Sequence, residues 1–179
     1  MTVFISGGCK NGKSTLAERV SRALAGDGRL YYIATMIPRD GEDEERIRRH
    51  VQQRSGLGFE TIEQGRELLS VLERAEPDAT FLLDSVTALL ANELFREDGS
   101  VDREAGPRTA DELRLFAGRV KNAVFVSDFI YSDAMPYDEY TELYRASLAL
   151  CDRTLAASCD TVAEVAAACC HLYKGRLPL

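Results

Sequence analysis

Short apolar runs alternate along the chain with longer stretches in which apolar residues recur at helical spacing. The apolar runs predict buried strands at Val3–Ser6, Leu30–Ala34, Thr80–Asp84 and Ala123–Ser127, and Phe59–Ile62 fits a further short strand. Strands that are apolar throughout and separated by helices are typical of a parallel sheet covered on both faces. The pattern therefore predicts a three-layer α/β domain with a mainly parallel sheet, whose ligand binds at the carboxyl ends of the strands.

Helices are predicted between these strands. The first begins after residue 14 and ends at Gly26-Asp27-Gly28. The others cover Asp43–Arg54, Glu67–Arg74, Val86–Phe95, Ala110–Val120 and Tyr137–Ala157. The polar segment Arg96–Thr109 contains glycine and proline and is expected to be a loop. Thr161–Ala167 fits either a last strand or a helix.

Composition narrows the class of protein. The 179 residues carry a net charge of −7 and are 45% hydrophobic, which is ordinary for one globular domain spanning residues 1–179. No basic patch suggests a nucleic-acid partner, and no apolar stretch approaches the ~20 residues that span a membrane. Without a recognisable signal peptide, we expect a cytoplasmic protein. Five cysteines without a C-x-x-C pair, and only two histidines, argue against zinc and predict reduced, mostly buried thiols.

Residues 7–14 match the phosphate-binding pattern G-x4-G-K-[ST] at every fixed position. They read Gly7, Gly8, Cys9, Lys10, Asn11, Gly12, Lys13 and Ser14. The segment lies between a predicted strand and a predicted helix, as a P-loop requires. Its backbone N–H groups and the helix N-terminus would bind phosphate oxygens. Lys13 would reach the β- and γ-phosphates, and the Ser14 hydroxyl would bind Mg²⁺.

A second anchor is the apolar strand that ends in Asp84. A carboxylate at the carboxyl end of a buried strand can hold Mg²⁺ together with Ser14, directly or through water. The alternative is that Asp84 caps the helix predicted to start at Val86. Together with the P-loop, the metal-related role is favoured.

Several segments resemble, in the same order, the bifunctional adenosylcobinamide kinase / adenosylcobinamide-phosphate guanylyltransferases of cobalamin assembly. The similar segments are Phe4–Ser14, Tyr32–Thr35, Arg46–His50 with Arg54 and Thr61–Glu63, Leu82–Thr87 with Asn92, and Val124–Ser127. The block R-I-x-x-H-x3-R and the block D-S-V-T are the most specific of them.

The resemblance implies a function. A nucleoside triphosphate, GTP or ATP with Mg²⁺, phosphorylates the aminopropanol hydroxyl of adenosylcobinamide, and GMP from GTP is then transferred to that phosphate. The covalent carrier of GMP corresponds to His50, whose imidazole is nucleophilic near pH 7. The basic neighbours of His50 would offset phosphate charge. Thr35, Arg54 and Glu63 correspond to nucleotide-binding positions, and the family forms homotrimers.

The C-terminal third departs from the family pattern. Where the family has Asn-Glu-Val-Gly this chain has Asp128–Tyr131, and Ala146, Ala149 and the pair Asp152-Arg153 replace an acid, a glycine and two amides. Losing polar groups predicts weaker handling of adenosylcobinamide. Two alternatives therefore stay open: an NTP-binding regulatory or assembly protein that has lost the corrinoid site, and a P-loop kinase for another small alcohol.

Overall fold

A computed structural model describes residues 1–38, 41, 45, 48, 51–52 and 54–179, and contains a seven-stranded sheet in this part of the chain. The strands are β1 (Thr2–Gly7), β2 (Leu30–Ala34), β3 (Glu60–Glu63), β4 (Thr80–Asp84), β5 (Asn122–Asp128), β6 (Thr161–Ala166) and β7 (Cys169–Lys174). Their order is β3-β2-β4-β5-β1-β6-β7. All neighbouring strands run parallel except β6 and β7, which are antiparallel.

Helices cover both faces of the sheet. They are α1 (Lys13–Ala25), α2 (Val86–Leu94), α3 (Ala105–Arg119) and α4 (Glu139–Ser158), with a 3₁₀ helix at Leu68–Glu73. Alternate residues of each strand point to opposite faces, so neighbouring positions join different cores. In β5, for example, Phe125 packs with α2, α3 and α4, whereas Val124 and Val126 pack on the α1 side. Both faces are therefore buried, as the apolar runs predicted.

The predicted strands are confirmed, each to within two residues at either end. The predicted helix at Ala110–Val120 begins earlier, at Ala105, so the expected loop Arg96–Thr109 is wrong over its last five residues. Proline fits this position because it lies in the first turn, where its missing N–H would have no partner in the helix. Gly106 marks a close approach of α3 to α4, because a Cβ there would overlap the side chain of Ser147.

The ambiguous segment after residue 160 is a strand, β6, which lies between β1 and the edge strand β7. Sequence analysis did not predict β7. All six of its residues are exposed, and it forms the antiparallel edge of the sheet, so it lacks the apolar run that marks the buried strands. Sequence patterns of burial do not detect a strand of this kind.

Two other expectations have mixed outcomes. The predicted helix Asp43–Arg54 lies largely outside the described residues, although residues 41, 45, 48, 51, 52 and 54 are helical. The prediction that most cysteines are buried was wrong, because Cys9 on the P-loop and Cys169 and Cys170 on the edge strand are exposed. Among the helices that the structure describes, none is long and apolar enough to cross a membrane.

Phe116 lies at the centre of the larger core and tests the packing of α3 on the sheet. Its ring packs edge-on against Phe81 at a centroid distance of 5.3 Å and against Phe125 at 6.3 Å. Phe116→Ala is expected to lower the free energy of unfolding by about 3–5 kcal/mol, since it leaves a cavity among rigid neighbours. Arg114→Ala on the exposed face of α3 should change it by less than about 0.5 kcal/mol. Urea denaturation measures both, and equal losses would contradict this packing.

Candidate active site

Three neighbouring strands bring the candidate site residues together at their carboxyl ends. The sheet order places β5 between β1 and β4. Gly7 at the end of β1 is in register with Asp128 at the end of β5, and Asp84 at the end of β4 is in register with Val126. The P-loop and two carboxylates therefore meet at one edge of the sheet, where α/β proteins bind their ligands.

The P-loop backbone has the shape that its glycines predict. Gly12 has a φ of 94° and precedes α1 as its N-cap, a conformation that favours glycine. A Cβ on Gly7 would overlap the carbonyl oxygen of Val165 in β6. The Asn11 side chain donates to that same carbonyl and accepts from the Lys13 amide at 3.2 Å. The loop is thus attached to β6 while residues 8–10 and 12 stay exposed.

Lys13 is the first residue of α1 and is 7% exposed. Its ammonium Nζ lies 2.6 Å from Asp128 Oδ1 and donates to the carbonyl of Gly8 at 3.0 Å. A buried ammonium group is costly unless it is paired, so these two contacts compensate its charge. The Asp128 side chain is 24% exposed, so this pair remains open to a ligand.

Asp84 belongs to a second charged group of residues on the α1 side. Burial, together with the nearby charge of the Asp84 carboxylate, raises the pKa of the Tyr32 hydroxyl. The guanidinium of Arg54 lies 3.5 Å above the Tyr32 ring, and its Nε and Nη1 have no hydrogen-bond partner among the described residues. Burial also raises the pKa of Glu18, which faces Arg54 and Asp84.

Ser85, not Asp84, caps α2, because the Ser85 hydroxyl accepts from the Ala88 amide at 3.2 Å. The alternative role for Asp84 as the helix cap is therefore wrong. Thr35 is fully buried, and its hydroxyl donates to the Ser85 carbonyl and accepts from the Ser85 amide, both at 2.8 Å. Asn92 donates to the carbonyls of Thr35 and Gly65. These residues hold the ends of β2 and β4 together.

The remaining predicted site residues are not all brought to the P-loop. Glu63 is exposed at the end of the edge strand β3, with β2, β4 and β5 between it and β1. His50, with Arg46 and Arg49, lies outside the described residues. Ser14 is half-buried in the first turn of α1, beside the ammonium-bearing Lys13.

Asp152 is a buried carboxyl group behind Asp128. It lies on α4, is 3% exposed, and accepts a hydrogen bond from the Tyr131 hydroxyl at 2.9 Å. Burial raises the pKa of Asp152 to about 6; the hydrogen bond from the Tyr131 hydroxyl lowers it, and the charge of Asp128 raises it further. Where the sequence resemblance predicts an amide, this chain therefore has a buried carboxyl group with a raised pKa.

Sequence reasoning missed Asp128, Tyr32 and Asp152 as members of this site. Asp128 ends a predicted apolar strand, as Asp84 does, so the same rule applied to both strands would have found it. Tyr32 and Asp152 carried no comparable signal. Their roles depend on Arg54 and Tyr131, and these contacts join parts of the chain about twenty residues apart.

The raised pKa of Asp152 predicts how stability depends on pH. Its pKa is about 6 in the fold and about 3.9 in the unfolded chain, so folding favours the neutral form. This contribution is fully present below pH ~4 and is lost as the pH rises through ~6. Asp152→Asn keeps an acceptor for Tyr131 without the charge. Relative to wild type, it should gain up to about 3 kcal/mol at pH 7–8 and almost nothing at pH 4. The exposed variant Asp78→Asn should differ from wild type by the same amount at every pH in this range. The same behaviour in Asp152→Asn would contradict the raised pKa of Asp152.

The fold is shared with a solved ATPase domain. That domain superposes with a TM-score of 0.54 over 91% of this chain and 68% of its own chain, at 11% sequence identity. At this identity the likeness concerns the fold alone, which is that of a P-loop NTPase-like α/β domain.

Two curated relatives match over most of their length. The bifunctional adenosylcobalamin biosynthesis protein CobU of Salmonella typhimurium is 28% identical over 174 residues, covering 90% of this chain and 93% of the relative. The bifunctional adenosylcobalamin biosynthesis protein CobP of Pseudomonas aeruginosa is 31% identical over 165 residues, covering 90% and 91%. The family model for CobU, described as cobinamide kinase / cobinamide phosphate guanyltransferase, matches residues 3–171, which includes most of the divergent C-terminal third. With the P-loop at the end of β1 and this match across nearly the whole chain, the protein belongs to the CobU family of transferases.

Proposed function

We propose that the chain is both a kinase for the hydroxyl group of adenosylcobinamide and a guanylyltransferase for the resulting phosphate, in cobalamin biosynthesis. The observation that carries the proposal is the P-loop lysine, held at the carboxyl edge of the sheet beside Asp128. Family membership supplies the acceptor, because the matching family is described as cobinamide kinase / cobinamide phosphate guanyltransferase.

The triphosphate, GTP or ATP, binds with its phosphates on the P-loop. The amides of residues 8–12 and the N-terminus of the thirteen-residue α1 provide donors and positive potential for an anion. Lys13 exchanges its present partners, Asp128 and the Gly8 carbonyl, for oxygens of the β- and γ-phosphates. Because these partners already fix its position, little rearrangement is required.

The donor set near the P-loop fits Mg²⁺. The Ser14 hydroxyl is in the first turn of α1, and the Asp84 carboxylate ends β4, so both offer the hard oxygen ligands that Mg²⁺ prefers. The bound ion would offset charge on the phosphates. The Tyr32 hydroxyl lies near the Asp84 carboxylate, on the side of the sheet covered by α1.

Arg54 is proposed to contact the nucleotide. The residue is 6% exposed, and its guanidinium stacks on the Tyr32 ring. The Nε and Nη1 atoms have no hydrogen-bond partner among the described residues. An unpaired buried guanidinium is costly, and an anionic or carbonyl oxygen of a ligand would satisfy it. For Thr35 the buried hydroxyl, already bonded to Ser85, supports a role in holding the strand ends instead.

Guanylyl transfer is proposed to pass through His50. The imidazole nitrogen would attack the α-phosphorus of GTP, pyrophosphate would leave, and the GMP would then move to the phosphate on the acceptor. Support comes from the position of His50 in the block R-I-x-x-H-x3-R and from membership in a family of guanylyltransferases.

Lys13→Ala tests the nucleotide site. It removes a charge-assisted contact to phosphate, so calorimetry with Mg²⁺ and GTP should show binding weaker by about 2–3 kcal/mol, roughly 30- to 150-fold. Lys121→Ala provides the matched control, because this exposed lysine precedes β5 at the opposite edge of the sheet. Equal affinity of wild type and Lys13→Ala would remove the basis for the P-loop assignment.

The two histidines of the chain provide a matched pair for the covalent step. After incubation with α-labelled GTP, the wild type should carry label that is labile in acid and stable in alkali, as expected for a phosphoramidate. His50→Asn should abolish the label, whereas His171→Asn, on the exposed edge strand β7, should retain it. Label that persists in His50→Asn would place the nucleophile elsewhere, and an unlabelled wild type would favour a nucleotide-binding regulator.

A further inference from the structure

Asp128 is the carboxylate that pairs with Lys13 in the part of the chain that the structure describes. It ends β5 and is in register with Gly7, where the P-loop begins. Lys13 Nζ is the atom expected to contact the transferred phosphoryl group. A carboxylate oxygen 2.6 Å from that atom therefore lies next to the position of the γ-phosphate.

The Asp128 backbone is fixed on both sides. Its amide donates to the Thr87 hydroxyl at 2.9 Å, and the following amide, of Phe129, donates to the Gly7 carbonyl at 3.0 Å. The side chain is nevertheless 24% exposed, so a substrate has access to it. Asp84, the other carboxylate at this edge, lies near the Tyr32 hydroxyl and Arg54, and is proposed to serve the metal.

The chain that leaves Asp128 carries several exposed apolar and aromatic side chains. Phe129 and Ile130 are 41% and 38% exposed, and Met135, Tyr137 and Tyr140 follow with 63%, 45% and 49%. Arg145 holds this segment in place through Asp133, the Met135 carbonyl and the Tyr137 ring. An acceptor with a large apolar surface would thus find a fixed platform that begins immediately after the carboxylate.

We propose that Asp128 is the general base of the phosphoryl-transfer step, an inference that rests on the kinase activity proposed above. Its carboxylate takes the proton of the acceptor hydroxyl as that oxygen forms a bond to the γ-phosphorus. The bond from the γ-phosphorus to the β–γ bridging oxygen breaks, and its electron pair leaves with the nucleoside diphosphate. The proton then passes from Asp128 to solvent. Lys13 moves to the phosphates, which frees the carboxylate for the hydroxyl group.

The competing role for Asp128 is only to hold Lys13. The two roles predict different kinetics, because a base acts in the transition state, whereas a residue that positions Lys13 acts through nucleotide binding. Asp128→Asn keeps the size and an acceptor oxygen but removes the basic carboxylate. Asp128→Glu keeps the carboxylate and moves it by one methylene. Asp78→Asn, an exposed residue before β4 at the opposite edge, controls for the change of charge.

The experiment measures nucleoside diphosphate formation with adenosylcobinamide as acceptor, and separately with water alone, for the wild type and the three variants. Asp128→Asn should lower kcat by about 100-fold or more with both acceptors, because water must lose a proton to the same base. Its affinity for Mg²⁺ and a non-hydrolysable GTP analogue should not be weaker than that of wild type by more than about threefold. Asp128→Glu should retain more activity than Asp128→Asn, and Asp78→Asn should match the wild type.

Asp128→Asn with kcat within about threefold of wild type, or with a loss confined to nucleotide affinity, would overturn the proposal. The water reaction separates this outcome from a failure of the proposed function. A wild type that hydrolyses the triphosphate but does not phosphorylate adenosylcobinamide would contradict the acceptor, while the loss of hydrolysis in Asp128→Asn would still support the base.

Discussion

The contact between Lys13 and Asp128 is the interaction on which the site depends. A lysine at the start of α1 must be buried to lie under the phosphates, and its charge must be compensated when no phosphate is bound. The neighbouring strand β5 supplies that compensation, because its last residue is in register with the last residue of β1. The parallel pairing of β1 and β5 therefore decides both the fold around the P-loop and the chemistry next to it.

Much of the fold follows from the sequence for one physical reason. Strands buried on both faces are apolar at every position, so β1, β2, β4 and β5 are visible as short apolar runs, and the P-loop marks where β1 meets α1. The same reasoning fails where burial is absent. The edge strand β7 is fully exposed and has no apolar run that would mark it as a strand. The first turn of α3 contains Pro107, so its sequence is typical of a loop.

The site was harder to predict because it joins residues that the sequence separates. The strand β5 lies beside β1 in the sheet, although more than 100 residues separate the two strands in the sequence. The sequence around Asp128 therefore does not show that Lys13 is its partner. Compared with the family pattern, the sequence after Ser127 indicated a loss of polar groups. The structure instead places one carboxylate on the P-loop lysine and a second, Asp152, in a buried position behind it. Two of the changed positions therefore carry charge at or behind the P-loop, and the predicted effect of the changes on adenosylcobinamide stays a prediction.

The most direct measurement is a crystal structure with Mg²⁺ and a non-hydrolysable GTP analogue. The account predicts the β- and γ-phosphates on residues 8–14, with Lys13 Nζ on a γ-phosphate oxygen in place of Asp128. It also predicts the Asp128 carboxylate within hydrogen-bonding distance of a water or hydroxyl oxygen facing the γ-phosphorus. Phosphates bound away from the P-loop, or a Lys13–Asp128 ion pair that persists beside a bound nucleotide, would contradict it.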